Sequence, residues 1–181
     1  MCDKLTEKEI NREYPFKGRI FDVAKCKAEL YDKTIVDREV VCHSGGVCIL
    51  PVDDTFNAYF VEQYRYGAQK ILLEVPAGKL EYGENPLDAA LRELSEETGF
   101  YVSQVIDLGI GYSSPAIMTE KIYMYLAIGL KEGKQHLDEN EYLDIIKAPL
   151  SQMYERVLSG EIEDFKTQVV IMKAYNYLIN K

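Results

Sequence analysis

The run Gly78-Lys-Leu-Glu-Tyr-Gly-Glu84-Asn-Pro-Leu-Asp-Ala-Ala-Leu-Arg92-Glu93-Leu-Ser-Glu96-Glu97-Thr-Gly99-Phe100 constrains this chain more than any other segment. It predicts a helix with marked ends. Asn85 suits the N-cap, Pro86 the first helical position, and Asp88 falls in the first turn. Gly99 supplies a left-handed stop. Leu87, Leu91 and Leu94 recur at helical spacing and predict the face that seats on a core. The acids work against this helix. Glu93, Glu96 and Glu97 crowd the last turn, where the macrodipole is already negative, at about 0.3–1 kcal/mol each. Glu93 and Glu97 are in addition a like-charged i,i+4 pair. Such an arrangement asks for a cation, so the segment predicts a metal site as well as a helix.

The rest of the chain supplies a core for that helix. Its 181 residues suit one domain, or one domain plus a small appendage. Residues 9–42 alternate short β-like runs (Arg19–Lys25, Cys26–Tyr31, Thr34–Cys42) with turn signals at Lys17-Gly18 and Tyr31-Asp32-Lys33. This predicts a small antiparallel β module. After Gly45-Gly46, the apolar run Val47–Val52 reads as a buried strand, followed by strands over Ala58–Tyr64 and Ile71–Val75. Beyond the acidic helix, Val105–Tyr112, Ile122–Leu130 and Tyr142–Ile146 read as strands, and Leu150–Leu158 and Lys166–Ile179 as helices. The fold class is therefore mixed α/β (α+β), with an N-terminal β module over residues 1–42 and a main domain over 43–181.

A net charge of −9 argues against general nucleic-acid binding, which draws its affinity from a basic surface. It leaves a phosphate substrate open, because bound divalent cations reverse the local field. No window has the length of apolar chain that a membrane span needs. The polar N-terminus lacks a signal-peptide core. Cys2, Cys26, Cys42 and Cys48 form no CxxC pair and read as reduced thiols in or near strands. Together these features predict a cytoplasmic protein with no membrane or nucleic-acid partner.

The segment from Gly78 to Phe100 resembles the Nudix box, G-x5-E-x7-R-E-U-x-E-E-x-G-U, with U a bulky apolar residue. Gly78, Glu84, Arg92, Glu93, Leu94, Glu96, Glu97, Gly99 and Phe100 fill the specified positions. The spacing agrees with the chemistry, since residues 93 and 97 lie one helical turn apart and both carboxylates can reach one hard cation. Arg92 and Glu96 are an i,i+4 pair, so Arg92 is placed to orient carboxylates. The resemblance implies an α/β/α sandwich with a mixed sheet. It also implies a Mg²⁺ or Mn²⁺ site built from Glu93, Glu97, Glu96 and the Ala77 carbonyl, which hydrolyses a diphosphate linked to another group.

Features outside the box are similar to the ADP-ribose pyrophosphatase subgroup. Glu74-Val-Pro-Ala-Gly78 leads into the motif, and Ser113-Ser-Pro115 places a proline sixteen residues after Gly99. Val61-Glu-Gln-Tyr-Arg65, Arg38-Glu39 and the acidic stretch Asp138-Glu139-Asn140-Glu141 also look similar, whereas Ala116 stands where the subgroup often carries glycine. The resemblance implies hydrolysis of ADP-ribose to AMP and ribose 5-phosphate. It implies diphosphate or ribose binding by Arg38 and Arg65, with Pro115 in the substrate loop and Phe16 or Tyr14 stacking on the base. Glu139 or Glu141 would take the proton from the attacking water, with Glu120 a weaker candidate. It further implies a homodimer that exchanges N-terminal strands. The alternatives are another nucleotide sugar or a dinucleotide as substrate, or a nucleotide-sugar sensor without catalysis.

Overall fold

The computed structural model describes residues 4–180; Cys2 lies outside them. The chain divides into two compact units. One takes the sequence up to Gly45 together with Tyr112–Lys121, and the other takes Gly46–Gly111 and the chain from Ile122 onward.

The first unit is a three-stranded antiparallel sheet of β1 (Lys8–Lys17), β2 (Asp22–Glu29) and β3 (Ile35–Cys42), with β2 in the middle. Residues of β2 alternate: Ala24, Cys26 and Ala28 are buried, while Lys25 and Lys27 are exposed. The small inward side chains leave room for the arms of Arg12 on β1 and Arg38 on β3, which lie opposite Cys26 from either side. Each guanidinium is tied locally, Arg12 to Glu9 and Arg38 to Glu7. The β1–β2 turn needs glycine at position 18, where a Cβ would lie 2.6 Å from the Phe21 carbonyl oxygen. The 112–121 loop joins the β3 edge: the Val41 N–H donates to the Ile117 carbonyl at 2.8 Å, and the Thr119 N–H donates to the Val41 carbonyl at 3.0 Å.

The second unit is built on a seven-stranded mixed sheet. Its strands are β4 (Gly46–Val52), β5 (Asn57–Arg65), β6 (Lys70–Glu74), β7 (Ala77–Lys79), β8 (Phe100–Tyr112), β9 (Lys121–Glu132) and β10 (Asp144–Pro149). The main path runs β10-β5-β4-β9-β8, with β6 on β5 and β7 on β4. Strand β4 is buried along its whole length, and its period of two splits the core. Val47 and Ile49 join Tyr125 and Ala127 of β9 under α1 (Pro86–Thr98). Cys48, Leu50 and Val52 join Met124 and Leu126 under α2 (Leu150–Leu158) and α3 (Phe165–Ile179). One helix therefore covers one face and two helices cover the other, the α/β/α layering that the resemblance implies.

The predicted signals set the ends of α1. The Asn85 side chain accepts from the Leu87 N–H, Pro86 opens the helix, and Gly99 adopts φ 73°. Its buried face differs from the leucine stripe. Ala89, Ala90, Leu94 and Thr98 are buried, whereas Leu87 is 38% exposed. Ala89 and Ala90 seat the helix on the sheet, and Glu97 lies on the same buried side. The predicted runs Arg19–Lys25 and Cys26–Tyr31 form one strand, β2, and two strands, β1 and β7, had no counterpart among the predicted runs. Cys26, Cys42 and Cys48 are free thiols on strands.

Candidate active site

The last turns of α1 face the short strand β7. This approach requires glycine, because a Cβ on Gly78 would lie 1.9 Å from Glu93 Oε1. Arg92 gathers the acids of the motif. Its Nε donates to Glu84 Oε1 at 3.0 Å, and its Nη1 donates to Glu93 Oε1 at 2.8 Å and to Glu96 Oε2 at 2.9 Å. The guanidinium thus neutralises part of the charge that the helix end cannot tolerate, and it orients Glu93 and Glu96. Glu97 lies on the inner side, only 1% exposed, and accepts from the Ala77 N–H at 3.1 Å. Ala77 therefore meets the cluster through its amide.

Burial sets the protonation of this pair. It pushes the Glu97 carboxyl up to about 8, with the Glu93 charge adding to the effect and the Ala77 amide opposing it. Burial likewise pushes Glu93 up to about 6, against the opposing pull of Arg92. Glu141 also raises both, which brings that loop acid into the field of the helix pair. Among the described residues, no three His, Cys, Asp or Glu side chains surround a common point as metal ligands. Glu93 and Glu96 are turned toward Arg92, and Glu97 toward the Ala77 amide. The donor chemistry nevertheless fits a hard divalent ion: a buried and a partly buried carboxylate one turn apart, each held by a hydrogen bond.

Glu139 and Glu141 line a cavity of about 490 Å³ with Gln63, Tyr64, Asp138, Asn140 and Tyr142. Arg65, at the end of β5, is held by a residue absent from the predicted site set. Its Nε and Nη2 donate to the two oxygens of Glu74 at 2.6 and 2.7 Å. Glu74 is 1% exposed and also pairs with Lys166 of α3. Burial alone would raise the Glu74 carboxyl, but Arg65 and Lys166 together hold it below its ordinary value. A lone acid inside the apolar run Ile71–Val75 is the signal that could have found it. Arg65 also feels the Glu97 charge.

The remaining predicted residues belong to the other unit. Arg38 is engaged with Glu7 at 3.0 and 2.7 Å. Phe16 is 51% exposed and packs on Phe21 with ring centroids 5.8 Å apart. Pro115 lies in a turn closed by the Ile117 and Met118 N–H groups on the Ser114 carbonyl, at 3.1 and 2.8 Å. Glu120 lies 3.4 Å from His43 Nδ1.

The NUDIX domain family profile matches residues 43–166, which include α1 and the whole acidic cluster. The chain is 36% identical over 169 residues to an ADP-ribose pyrophosphatase of Bacillus subtilis (strain 168), covering 92% of this chain and 91% of that protein. It is 38% identical over 167 residues to a methanol dehydrogenase activator of Bacillus methanolicus, covering 91% and 90%. A solved structure described as an ADP compounds hydrolase superposes with a TM-score of 0.86 at 22% identity, covering 97% of this chain and 95% of that one. That last likeness is one of fold.

Proposed function

Because this chain belongs to the NUDIX domain family, we propose that it hydrolyses the diphosphate bond of ADP-ribose, giving AMP and ribose 5-phosphate. The observation that carries the reading is the acid pair on α1, buried Glu97 and partly buried Glu93, set against β7 and bounded by Arg92. The likeness to an ADP-ribose pyrophosphatase along most of the chain supports ADP-ribose as the substrate.

Glu93 and Glu97 would hold the metal, Mg²⁺ or Mn²⁺, with Glu96 and the Ala77 carbonyl as further donors. When bound, it neutralises charge on the diphosphate oxygens and acidifies water. Arg92 keeps Glu93 and Glu96 from swinging into solvent. Glu74 holds two nitrogens of Arg65, so that the rest of the guanidinium faces the substrate diphosphate without rotamer freedom. Glu141 shares the field of Glu93 and Glu97. Glu139 or Glu141, on the same loop, is the acceptor of the proton from the attacking water. A water oxygen bonds to one phosphorus, the bond from that phosphorus to the bridging oxygen breaks, and the bridging oxygen leaves with the other phosphate, so that two monophosphates result. Arg38, Pro115 and Phe16 stand as nucleotide contacts on the likeness to ADP-ribose pyrophosphatases alone.

The N-terminal unit exposes Leu5, Ile10, Tyr14, Phe16, Ile20, Phe21, Tyr31 and Ile35, more apolar side chain than a free surface usually carries. It suits a homodimer contact formed through exchanged β1 strands. Among the described residues no helix is long and apolar enough to cross a membrane, and a cytoplasmic location is part of the same reading.

Product analysis after incubation with ADP-ribose and Mg²⁺ in ¹⁸O-labelled water tests this function. AMP and ribose 5-phosphate, one of them labelled, are expected. Cleavage only of another nucleotide sugar or of a dinucleotide would replace the substrate and keep the chemistry. The relative named as a methanol dehydrogenase activator supports a second reading, in which the site serves another enzyme; binding of ADP-ribose without products would favour it.

A further inference from the structure

The acidic loop that carries Glu139 and Glu141 is rooted on the helix that carries Glu93 and Glu97. The C-terminal carbonyls of α1 have specific partners. Ser95 O accepts from the Gly99 N–H at 2.9 Å, and Glu96 O accepts from the His136 N–H at 2.9 Å. Glu97 O accepts from Gln135 Nε2 at 2.7 Å. The residue whose carboxylate sits deepest in the cluster is thus held at its backbone by a side chain of the incoming loop. Contact is close throughout: a Cβ on Gly99 would lie 2.7 Å from the Gln135 nitrogen, and one on Gly133 would lie 2.6 Å from the Gly99 carbonyl. On the far side, Asp144 pairs with Glu62 as β10 begins. Only residues 137–143 lie between these two moorings. Within them, the Glu141 N–H donates to the Asp138 carbonyl at 3.1 Å, and Asn140 adopts φ 72°. A span that short can place its acids in few ways once His136 is fixed.

We propose that Gln135 is a positioning residue. Its amide pins the start of the acidic loop to the last turn of α1 and so sets Glu139 and Glu141 against Glu93 and Glu97. The role rests on the reading of those four acids as one site. Gln135 touches neither substrate nor metal. It acts by fixing the distance between two sets of groups that must work within about 1 Å of their productive geometry.

Two substitutions separate this role from mere packing. Gln135→Met keeps the length and loses the donor. Gln135→Lys keeps a donor and adds a charge that suits a helix C-terminus. Hydrogen exchange of the amides in 136–143 is measured in the parent and both variants, together with kcat and KM for ADP-ribose. For Gln135→Met, exchange in 136–143 is expected to be about tenfold faster and kcat about tenfold or more lower, with KM within about threefold of the parent. Gln135→Lys is expected to restore both. Unchanged exchange in Gln135→Met, faster exchange with unchanged kcat, or equal impairment by the two substitutions would overturn the proposal. If the parent protein cleaves no ADP-ribose, the function above fails, while the exchange contrast still decides whether Gln135 anchors the loop.

Discussion

Glu97 is a carboxyl group in a place that disfavours its charge. Burial and the neighbouring Glu93 raise its pKa to about 8, so at neutral pH it carries its proton unless a cation offsets the ionised form. Glu97→Gln replaces a largely neutral group by a neutral isostere. It is expected to melt at the parent temperature or slightly above in chelator, to lose at least about 100-fold in turnover, and to show no Mn²⁺ binding by calorimetry. Turnover within a few-fold of the parent would remove Glu97 from the ligand set. Glu74 behaves oppositely. Arg65 and Lys166 hold its pKa below the ordinary 4.5 despite burial. Its stabilisation is therefore complete above pH 4.5 and is lost as pH falls through the depressed value. Glu74→Gln strands two cations, one of them partly in solvent, and is expected to lower stability by about 2–3 kcal/mol at neutral pH. It should also flatten the acid limb of the stability–pH curve. Urea melts between pH 3 and 7 (an interval of about four units) measure both effects.

At the scale of elements, the site depends on how closely β7 and α1 approach. Gly78→Ala puts a methyl group where the Glu93 carboxylate sits. The strand backbone tolerates alanine, so folding is expected to persist while Glu93 is displaced. Turnover should fall about 10–100-fold, with Tm within a few degrees of the parent by calorimetry. The same element shows what the sequence made legible. The caps and acids of α1 are local signals, so its bounds, Arg92 and the Glu93/Glu97 pair could be read directly. Strand β1 could not, because all its residues are exposed and no alternation of burial marks it. Strand β7 is only three residues long, too short for any period. Glu74–Lys166 and Gln135–Glu97 join residues far apart in the chain, and nothing in local spacing announces them.

For the whole molecule, the burial of β4 was legible in the apolar run Val47–Val52, whereas the layering of helices on both faces of the sheet came only from the resemblance carried by the acidic segment. The placement of Tyr112–Lys121 with the N-terminal unit was not legible, since it rests on backbone bonds to Val41 that leave no trace in side-chain pattern. If the exposed apolar residues of that unit form a subunit contact, sedimentation equilibrium should report twice the chain mass for the parent. Ile10→Glu, which charges an exposed apolar position of β1, should shift the protein toward monomer by about tenfold or more in dissociation constant. A monomeric parent at micromolar concentration would dismiss the contact.

Arg92 has one last consequence. By occupying Glu84, Glu93 and Glu96 before any ion arrives, it serves as an internal placeholder, and the proton on Glu97 completes the truce. On the proposed metal-site reading, folding and ion loading are two separable events. Renaturation in excess EDTA is expected to yield the full secondary structure by circular dichroism, and later addition of Mg²⁺ to recover activity without refolding.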